Sequence, residues 1–178
     1  VWKNNFYSKT EKKIHPTLSF AVIDKNLLVA DSIAKISSIN LQTGNLIWSK
    51  KSEYPFNSEI KIFKDKFFVV DFKNTLRCFY LKDGSECWNI KTEESFTVSN
   101  SKFSILIRDN LVIYNNSLGD ITAIDISTGL IEWQLPTQKT SIINETYGFN
   151  FSKLVSDGKA IYFSNNKNHF YSVDLTSG

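Results

Sequence analysis

The chain of 178 residues is 42% hydrophobic and 14% aromatic, which is enough to bury a core and excludes a disordered protein. Its 21 basic and 18 acidic residues are interspersed and leave a net charge of +3, so they form no basic stripe of the kind that neutralises phosphates. No apolar run reaches the roughly 18 residues that a membrane-spanning helix needs. Because the chain opens on VWKNNFYSK without an apolar leader, we expect it to be part of a longer protein.

Four apolar runs, each opened by turn-forming residues, predict one strand in each of four repeats. In chain order they span residues 25–31, 64–72, 108–115 and 157–164. Their length and their Val, Ile, Phe and Tyr content favour β-strands. Since the runs are continuously apolar rather than alternating, we expect both faces of each strand to be buried.

A second predicted strand and a glycine turn follow each apolar run. These strands span residues 34–41, 75–81, 120–126 and 169–175. The turn glycines, which recur every 40 to 49 residues, are Gly44, Gly84, Gly129 and Gly178. Tryptophan stands four residues after the first three glycines, at Trp48, Trp88 and Trp133, and Trp2 precedes the first repeat in the same role. A fixed period of this length indicates an array of structural repeats.

The repeat predicts an all-β chain of about four four-stranded β-propeller blades. Four short antiparallel strands in about 40 to 45 residues are typical of one blade. We place the repeats at approximately 17–48, 57–88, 100–133 and 150–178, in a single partial propeller domain over residues 1–178. Since such rings usually hold about four to eight blades, we expect half of an eight-bladed ring. Open blade edges would then favour self-association.

The turn residues and the tryptophans have predicted structural roles. Each glycine stands where a positive φ is expected, because a bulky residue would be strained there. Asn40, Asp125 and Asp174 lie four residues before their glycines and are expected to accept hydrogen bonds from the turn's backbone N–H groups. Tyr80 holds that position in the second repeat, which therefore lacks this polar brace. The tryptophans are expected to pack on neighbouring blades rather than to stack on a ligand.

Two cysteines flank the turn of the second repeat, and the sequence leaves their pairing open. With a three-residue loop, Leu81 pairs with Ser85, Cys78 faces Trp88, and the two thiols lie on opposite faces. With a loop one residue longer, Cys78 lies opposite Cys87 and a disulfide can form. No metal site is predicted, because two cysteines and two scattered histidines show no ligand spacing.

No catalytic constellation is predicted either. His15 precedes a proline and His169 lies in a predicted strand, so no Ser-His-Asp or Cys-His arrangement can be assembled from them. We therefore predict no enzyme and no cofactor. The N-glycosylation pattern occurs at Asn115, Asn144 and Asn150, which is common by chance in an Asn-rich chain.

The D/N-x-x-T-G-x-x-x-W turn between two strands resembles the quinoprotein-like (PQQ-like) repeat. The first fifty residues further resemble the N-terminal blade of the BamB family of outer-membrane β-barrel assembly proteins. This likeness rests on Trp2, residues 5–8 (NFYS), His15-Pro16, residues 28–31 (LVAD) and the turn of residues 43–48. It implies an eight-bladed ring in the periplasm, lipid-anchored to the outer membrane in the full-length protein. The family's lipid-bearing cysteine and its blades five to eight are not among these residues.

The resemblance also implies a protein partner, the barrel-inserting subunit, bound through loops around the middle blades. The matching connection spans residues 134–149, although it does not reproduce the family's contact motif. Ile143 and Tyr147 are the predicted partner-binding residues, since apolar side chains among polar ones suit a small contact with a polar rim. Alternatively, Ile142 and Phe149 are inward residues of the fourth blade's first strand.

Two classes of function therefore compete. One is a non-catalytic scaffold that binds a protein and no nucleic acid. The other is a fragment of a PQQ-dependent dehydrogenase, a family marked by adjacent cysteines over the cofactor and a carboxylate-bound calcium. Cys78 and Cys87 are nine residues apart and acidic residues do not cluster at one strand end, which favours the scaffold.

Overall fold

A computed structural model describes residues 1–93, 101–137, 152–165 and 169–178. Its strands form four sheets in simple sequential order, one for each predicted repeat, and we number these blades 1 to 4. Blade 1 comprises β1 (Leu18–Ile23), β2 (Asn26–Asp31), β3 (Lys35–Asn40) and β4 (Leu46–Lys51); blade 2 comprises β5 (Lys61–Phe63), β6 (Lys66–Val70), β7 (Thr75–Tyr80) and β8 (Glu86–Lys91). Blade 3 comprises β9 (Ile105–Arg108), β10 (Leu111–Asn115), β11 (Ile121–Asp125) and β12 (Ile131–Leu135); blade 4 comprises β13 (Val155–Ser156), β14 (Ala160–Ser164) and β15 (Phe170–Asp174). One 3-10 turn, Glu11–Lys13, is the only helix in the described part, so the predicted all-β fold is confirmed.

The chain divides into two compact units. The first comprises Val1–Phe72 and Arg77–Trp88, and the second comprises Lys73–Leu76 and Asn89–Gly178. That residues 1–178 form one domain stays a prediction.

The core of the first unit is an apolar layer contributed by blades 1 and 2. Blade 1 supplies Leu28, Ala30 and Ile36, while the residues from blade 2 and the segment before it are Phe56, Ile60, Phe67, Val69 and Phe79. Phe67 stacks between two other rings, with centroid distances of 6.1 Å to Trp48 and 5.3 Å to Phe79. Each large side chain buried in this way contributes about 1.5 to 3 kcal/mol of transfer free energy.

The second unit has an equivalent layer from blades 3 and 4. It is built from Ile113, Ile121, Ala123 and Trp133 on one side and Leu154, Ile161, Phe163, Val173 and Leu175 on the other. Phe163 stacks on Tyr171 with ring centroids 4.7 Å apart. The same positions of the repeat therefore build both cores.

Burial on both faces is observed for three of the four apolar runs. β2, β6 and β10 each carry four consecutive buried residues. In β14 the prediction is wrong, because Ile161 and Phe163 are buried while Tyr162 between them is exposed. The Ile161 face packs on blade 3, whereas nothing in the described part of the chain covers the Tyr162 face.

The hairpins that carry Trp48 and Trp133 each contain a β-bulge. In blade 1, Ile39 pairs with Leu46 but Ser38 pairs with Trp48, so Ile47 is the extra residue. In blade 3, Ile124 pairs with Ile131 and Ala123 pairs with Trp133. A bulge places two residues of one strand opposite a single residue of its partner. The strict two-residue alternation of a strand therefore fails just before the tryptophan.

Candidate functional site

Three of the tryptophans dock on the glycine turn of the following repeat. The indole N–H of Trp48 donates to the carbonyl oxygen of Leu81 at 3.1 Å, and that of Trp133 donates to the carbonyl oxygen of Leu175 at 3.1 Å. Trp2 makes the same bond to Leu41 at 2.8 Å. In each case the acceptor lies three residues before the turn glycine. The last strand of one repeat is thereby tied to the turn of the next.

The turn glycines are required by both backbone conformation and space. Gly84 has a φ of +68°, in the left-handed region that side chains disfavour. A Cβ at Gly84 would lie 2.7 Å from the ring of Trp48, and one at Gly178 would lie 2.9 Å from the ring of Trp133. The glycine therefore leaves the room that the indole fills.

Small residues lie opposite Trp48 and Trp133, a feature that the sequence reasoning missed. Ser38 faces Trp48 and Ala123 faces Trp133 across the hairpin. Cys78 and Ser172 hold the same position, six residues before the turn glycine. The sequence contains this signal as a small residue six positions before each turn glycine. Strand propensity alone does not identify it, because small residues do not favour strands.

The predicted polar braces are present in three turns. Oδ1 of Asn40 accepts from the backbone N–H groups of Gln42 and Thr43. Asp125 and Asp174 each accept the equivalent two backbone bonds. Hydrogen bonds from Thr176 and Ser177 lower the pKa of Asp174 to about 2, and the backbone N–H of Thr128 contributes most to the lowered pKa of Asp125.

The turn of the second repeat keeps a side-chain bond only at the residue before its glycine. Tyr80 cannot serve through its side chain, but Oδ1 of Asp83 accepts from both the backbone N–H and the hydroxyl of Ser85. These bonds lower the pKa of Asp83. Thr43 and Thr128 accept the equivalent backbone bond in repeats 1 and 3. The second repeat therefore keeps this bond but lacks the brace four residues before the glycine, as expected from Tyr80.

A second set of Asx residues, which the sequence reasoning also missed, braces the preceding turn of the repeat. Its members lie thirteen residues before each turn glycine and are Asp31, Asp71, Asn116 and Asn165. Oδ1 of Asp31 accepts from the backbone N–H of Lys35, that of Asn116 from Asp120, and that of Asn165 from His169. A side-chain oxygen that accepts an N–H four residues on substitutes for a backbone partner in the turn.

In the first unit, the bracing residues Asp31 and Asp71 are also contacted by Tyr7 and Arg77, respectively. The hydroxyl of Tyr7 donates to Asp31 at 2.8 Å, and burial together with this bond raises the pKa of Tyr7. In blade 2, Arg77 pairs with the fully buried Asp71 at 3.0 Å and with Glu86 at 2.8 Å. The NFYS segment is therefore fastened to blade 1 by its tyrosine.

The two cysteines are unbridged. The backbone N–H of Tyr80 donates to the carbonyl oxygen of Ser85 at 2.9 Å. Residues 81–84 therefore form the loop, which is the longer of the two predicted loops. Cys78 and Cys87 lie on the two neighbouring strands of this hairpin, β7 and β8. Burial is the largest cause of the raised pKa of each thiol.

Asn115 is not a glycosylation site in the folded chain. Its side chain is 4% exposed and accepts the backbone N–H of Ser104, so no glycan could be attached there. Asn144 and Asn150 lie outside the described residues.

The predicted partner-binding residues also fall outside the described part of the chain. Only residues 134–137 of the 134–149 connection are described. Ile143 and Tyr147, and the alternative residues Ile142 and Phe149, all lie outside the described residues. Within the described ranges, no group of three or more His, Cys, Asp or Glu side chains could hold a metal ion. Nor does any described helix have the length and apolar character needed to cross a membrane.

Sequential antiparallel sheets, one per repeat, with a tryptophan docked on the next turn within each unit, define a β-propeller repeat protein. The family model described as outer membrane protein assembly factor BamB matches residues 1–178, the whole chain. The chain belongs to this family. No curated protein sequence matches it significantly.

Solved structures share the fold at low sequence identity. BamB from Moraxella catarrhalis matches with a TM-score of 0.69 and 14% identity, over 89% of this chain and 46% of that one. The computationally designed Ika4 protein matches with a TM-score of 0.70 and 12% identity, over 90% of this chain and 92% of that one. Quinohemoprotein alcohol dehydrogenase from Comamonas testosteroni matches with a TM-score of 0.54 and 22% identity, over 66% and 20%. The chain thus spans less than half the length of the BamB structure, and its fold is that of a partial β-propeller.

Proposed function

We propose that this chain is a non-catalytic propeller scaffold that binds a protein partner in the assembly of outer-membrane β-barrel proteins. The observation that carries the proposal is the match of the outer-membrane assembly family over all 178 residues. The site of action is then the periplasm, with the full-length protein lipid-anchored to the outer membrane, and the partner is the barrel-inserting subunit.

Four of the described carboxylates support a scaffold because they stabilise the fold. Asp125 and Asp174 accept turn N–H groups, Asp31 accepts from Tyr7, and Asp71 is paired with Arg77. A carboxylate held in this way stabilises a turn and is not free to act as a general base or a metal ligand. Rigid blades that hold their turns in fixed positions suit the presentation of connecting loops to a partner.

The proposed contact surface is the connection of residues 134–149, centred on Ile143 and Tyr147. It follows β12, whose tryptophan is docked on blade 4 through the carbonyl oxygen of Leu175. The start of the connection is also fastened, because the hydroxyl of Thr137 donates to the carbonyl oxygen of Gly119 at 2.8 Å. A loop anchored on a rigid hairpin loses less entropy on binding than a free one.

Substitution of Ile143 and Tyr147 by serine in the full-length protein tests this surface. We expect loss of co-purification with the barrel-inserting subunit at an unchanged melting temperature. The matched control replaces two exposed apolar residues of the same unit, Leu130 and Ile131, which are 65% and 46% exposed, and should leave binding intact. A lowered melting temperature with binding retained would show that the two side chains belong to the core of blade 4.

A fragment of a PQQ-dependent dehydrogenase is the alternative, favoured by the structural likeness to the Comamonas enzyme. The cysteines do not fit that site, because Cys78 and Cys87 lie on opposite strands of a hairpin and Cys78 is fully buried. Addition of PQQ and calcium should therefore produce neither a shifted cofactor absorbance nor dye reduction with alcohols or sugars. Either signal at stoichiometric occupancy would contradict the scaffold proposal and support the dehydrogenase alternative.

A further inference from the structure

The hairpin of β7 and β8 brings the two cysteines of the chain into one place. Its turn closes with hydrogen bonds from Tyr80 to Ser85 and from Gly84 to Tyr80, the same pair that closes the turns of blades 1 and 3. In those blades the residue three after the glycine lies in the bulge, next to the tryptophan and opposite the small residue. Cys87 and Cys78 hold these two positions in blade 2.

The bulge explains why two thiols on different strands meet. Since two residues of the bulged strand oppose one residue of the partner, both Cys87 and Trp88 lie across from Cys78. Burial, and after it the neighbouring Cys87, raises the pKa of the Cys78 thiol, which agrees with this arrangement. The thiols differ in access, because Cys78 is 0% exposed whereas Cys87 is partly exposed.

We propose that Cys78 and Cys87 form an oxidisable dithiol, a modification site that takes up an intrachain disulfide by exchange with a small-molecule disulfide. The Cys87 thiolate attacks one sulfur of oxidised glutathione and releases one glutathione, which takes up the proton. The thiol of Cys78 then loses its proton and attacks the sulfur of Cys87, which releases the second glutathione as a thiolate that takes up this proton. Two protein thiols are oxidised and one external disulfide is reduced to two thiols.

The disulfide would cross-link neighbouring strands directly beside a docked tryptophan. Trp88 follows Cys87 and packs against Phe68 with ring centroids 5.7 Å apart. Oxidation therefore fixes the strand that carries this ring. The inference depends only on the hairpin and is independent of the proposed function.

Titration of the folded chain against buffers of reduced and oxidised glutathione tests the proposal. We expect a single product that is lighter by about 2 Da, the mass of two hydrogens, with both thiols lost together. The same titration in guanidinium gives the value for the unfolded chain, and the folded chain should form the bond with an equilibrium constant at least about tenfold larger. Because the two equilibria are linked, the disulfide must raise the folding equilibrium constant of the chain by the same factor. A constant no larger than that of the unfolded chain, or an intermolecular dimer, would overturn the proposal.

Two single variants test the order of attack. Cys78→Ser should stop at a stable mixed disulfide of Cys87 with glutathione. Cys87→Ser should leave the buried Cys78 unmodified while the chain is folded. Equal modification of the two variants would contradict the assigned roles, and the wild-type comparison holds whether or not either variant folds.

Discussion

The indole of Trp48 occupies the space that a side chain at Gly84 would need. Its ring would lie 2.7 Å from a Cβ at that position, and its N–H donates to the carbonyl oxygen of Leu81 at 3.1 Å. The glycine and the tryptophan of successive repeats are therefore one structural unit, although forty residues separate the turns to which they belong.

Substitution of Gly84 by alanine should destabilise the chain by about 2 to 4 kcal/mol. A positive φ costs a residue with a Cβ about 1 to 2 kcal/mol, and the clash with Trp48 adds overpacking. Denaturant unfolding measures the change. In a Trp48→Ala background the clash is absent, so the same substitution should cost only the backbone part; an equal cost in both backgrounds would contradict the contact.

Replacement of Trp133 by alanine should lower stability by about 3 to 5 kcal/mol, since this side chain is 8% exposed and its removal leaves a cavity. Trp2 makes the same hydrogen bond but is 36% exposed, so Trp2→Ala should cost less. Thermal unfolding of both variants checks the order. An unchanged midpoint for Trp133→Ala would exclude a structural role.

Stability should fall as the pH is lowered below about 5. The turn bonds lower the pKa values of Asp125 and Asp174 in the folded chain below the unfolded value of about 3.9. Their contribution is therefore fully present above that value and is lost as the pH falls toward about 2, the folded pKa of Asp174.

The matched variant for this effect is Asp125→Asn, because Asn40 makes the same turn bonds without a titrating group. Its stability near neutral pH should change little, and its loss of stability in acid should be shallower than that of the wild type. A wild-type pH profile in this variant would show that Asp125 contributes nothing to the acid sensitivity.

Substitution of Arg77 by methionine should cost about 3 kcal/mol or more, because it removes an ion-pair partner from the fully buried Asp71. Arg108→Met is the control, since Arg108 is exposed and its guanidinium contacts only a backbone carbonyl among the bonds described. Equal midpoints for the two variants would show that the buried pair is not important for stability.

The chain should associate through the open face of blade 4. Val155 pairs with Tyr162, which lies on the same face as Phe170, and all three side chains are exposed. Light scattering over an about hundredfold range of concentration should show a rising apparent mass. Tyr162→Ser with Phe170→Ser should suppress the rise, whereas a wild-type chain that stays monomeric would contradict the expectation.

Local chemistry explains which parts of the fold could be predicted. Gly44 and Asn40 act within one turn, so their residue types indicate their roles directly. The bulge at Ile47 could not be predicted, because it follows from how two strands pair and not from either strand alone. Asp31 and Asn116 were missed for the same reason, since Asp31 lies within a predicted strand and Asn116 directly follows one, and the turns that they brace form only when two strands pair.

The candidate site was predicted less completely than the fold. The glycosylation pattern at Asn115 is local, whereas its burial depends on packing that no short motif encodes. For the cysteines, the longer loop was among the alternatives, and the hydrogen bonds that close the turn between Tyr80, Gly84 and Ser85 show that this loop is formed.

The most direct test of the central claim is affinity purification of the full-length protein from its own outer membrane after mild cross-linking. The scaffold account predicts that the barrel-inserting subunit is recovered in stoichiometric amount, and that the double substitution of Ile143 and Tyr147 abolishes this recovery. Absence of that subunit from cross-linked preparations of the folded wild-type protein would contradict the account.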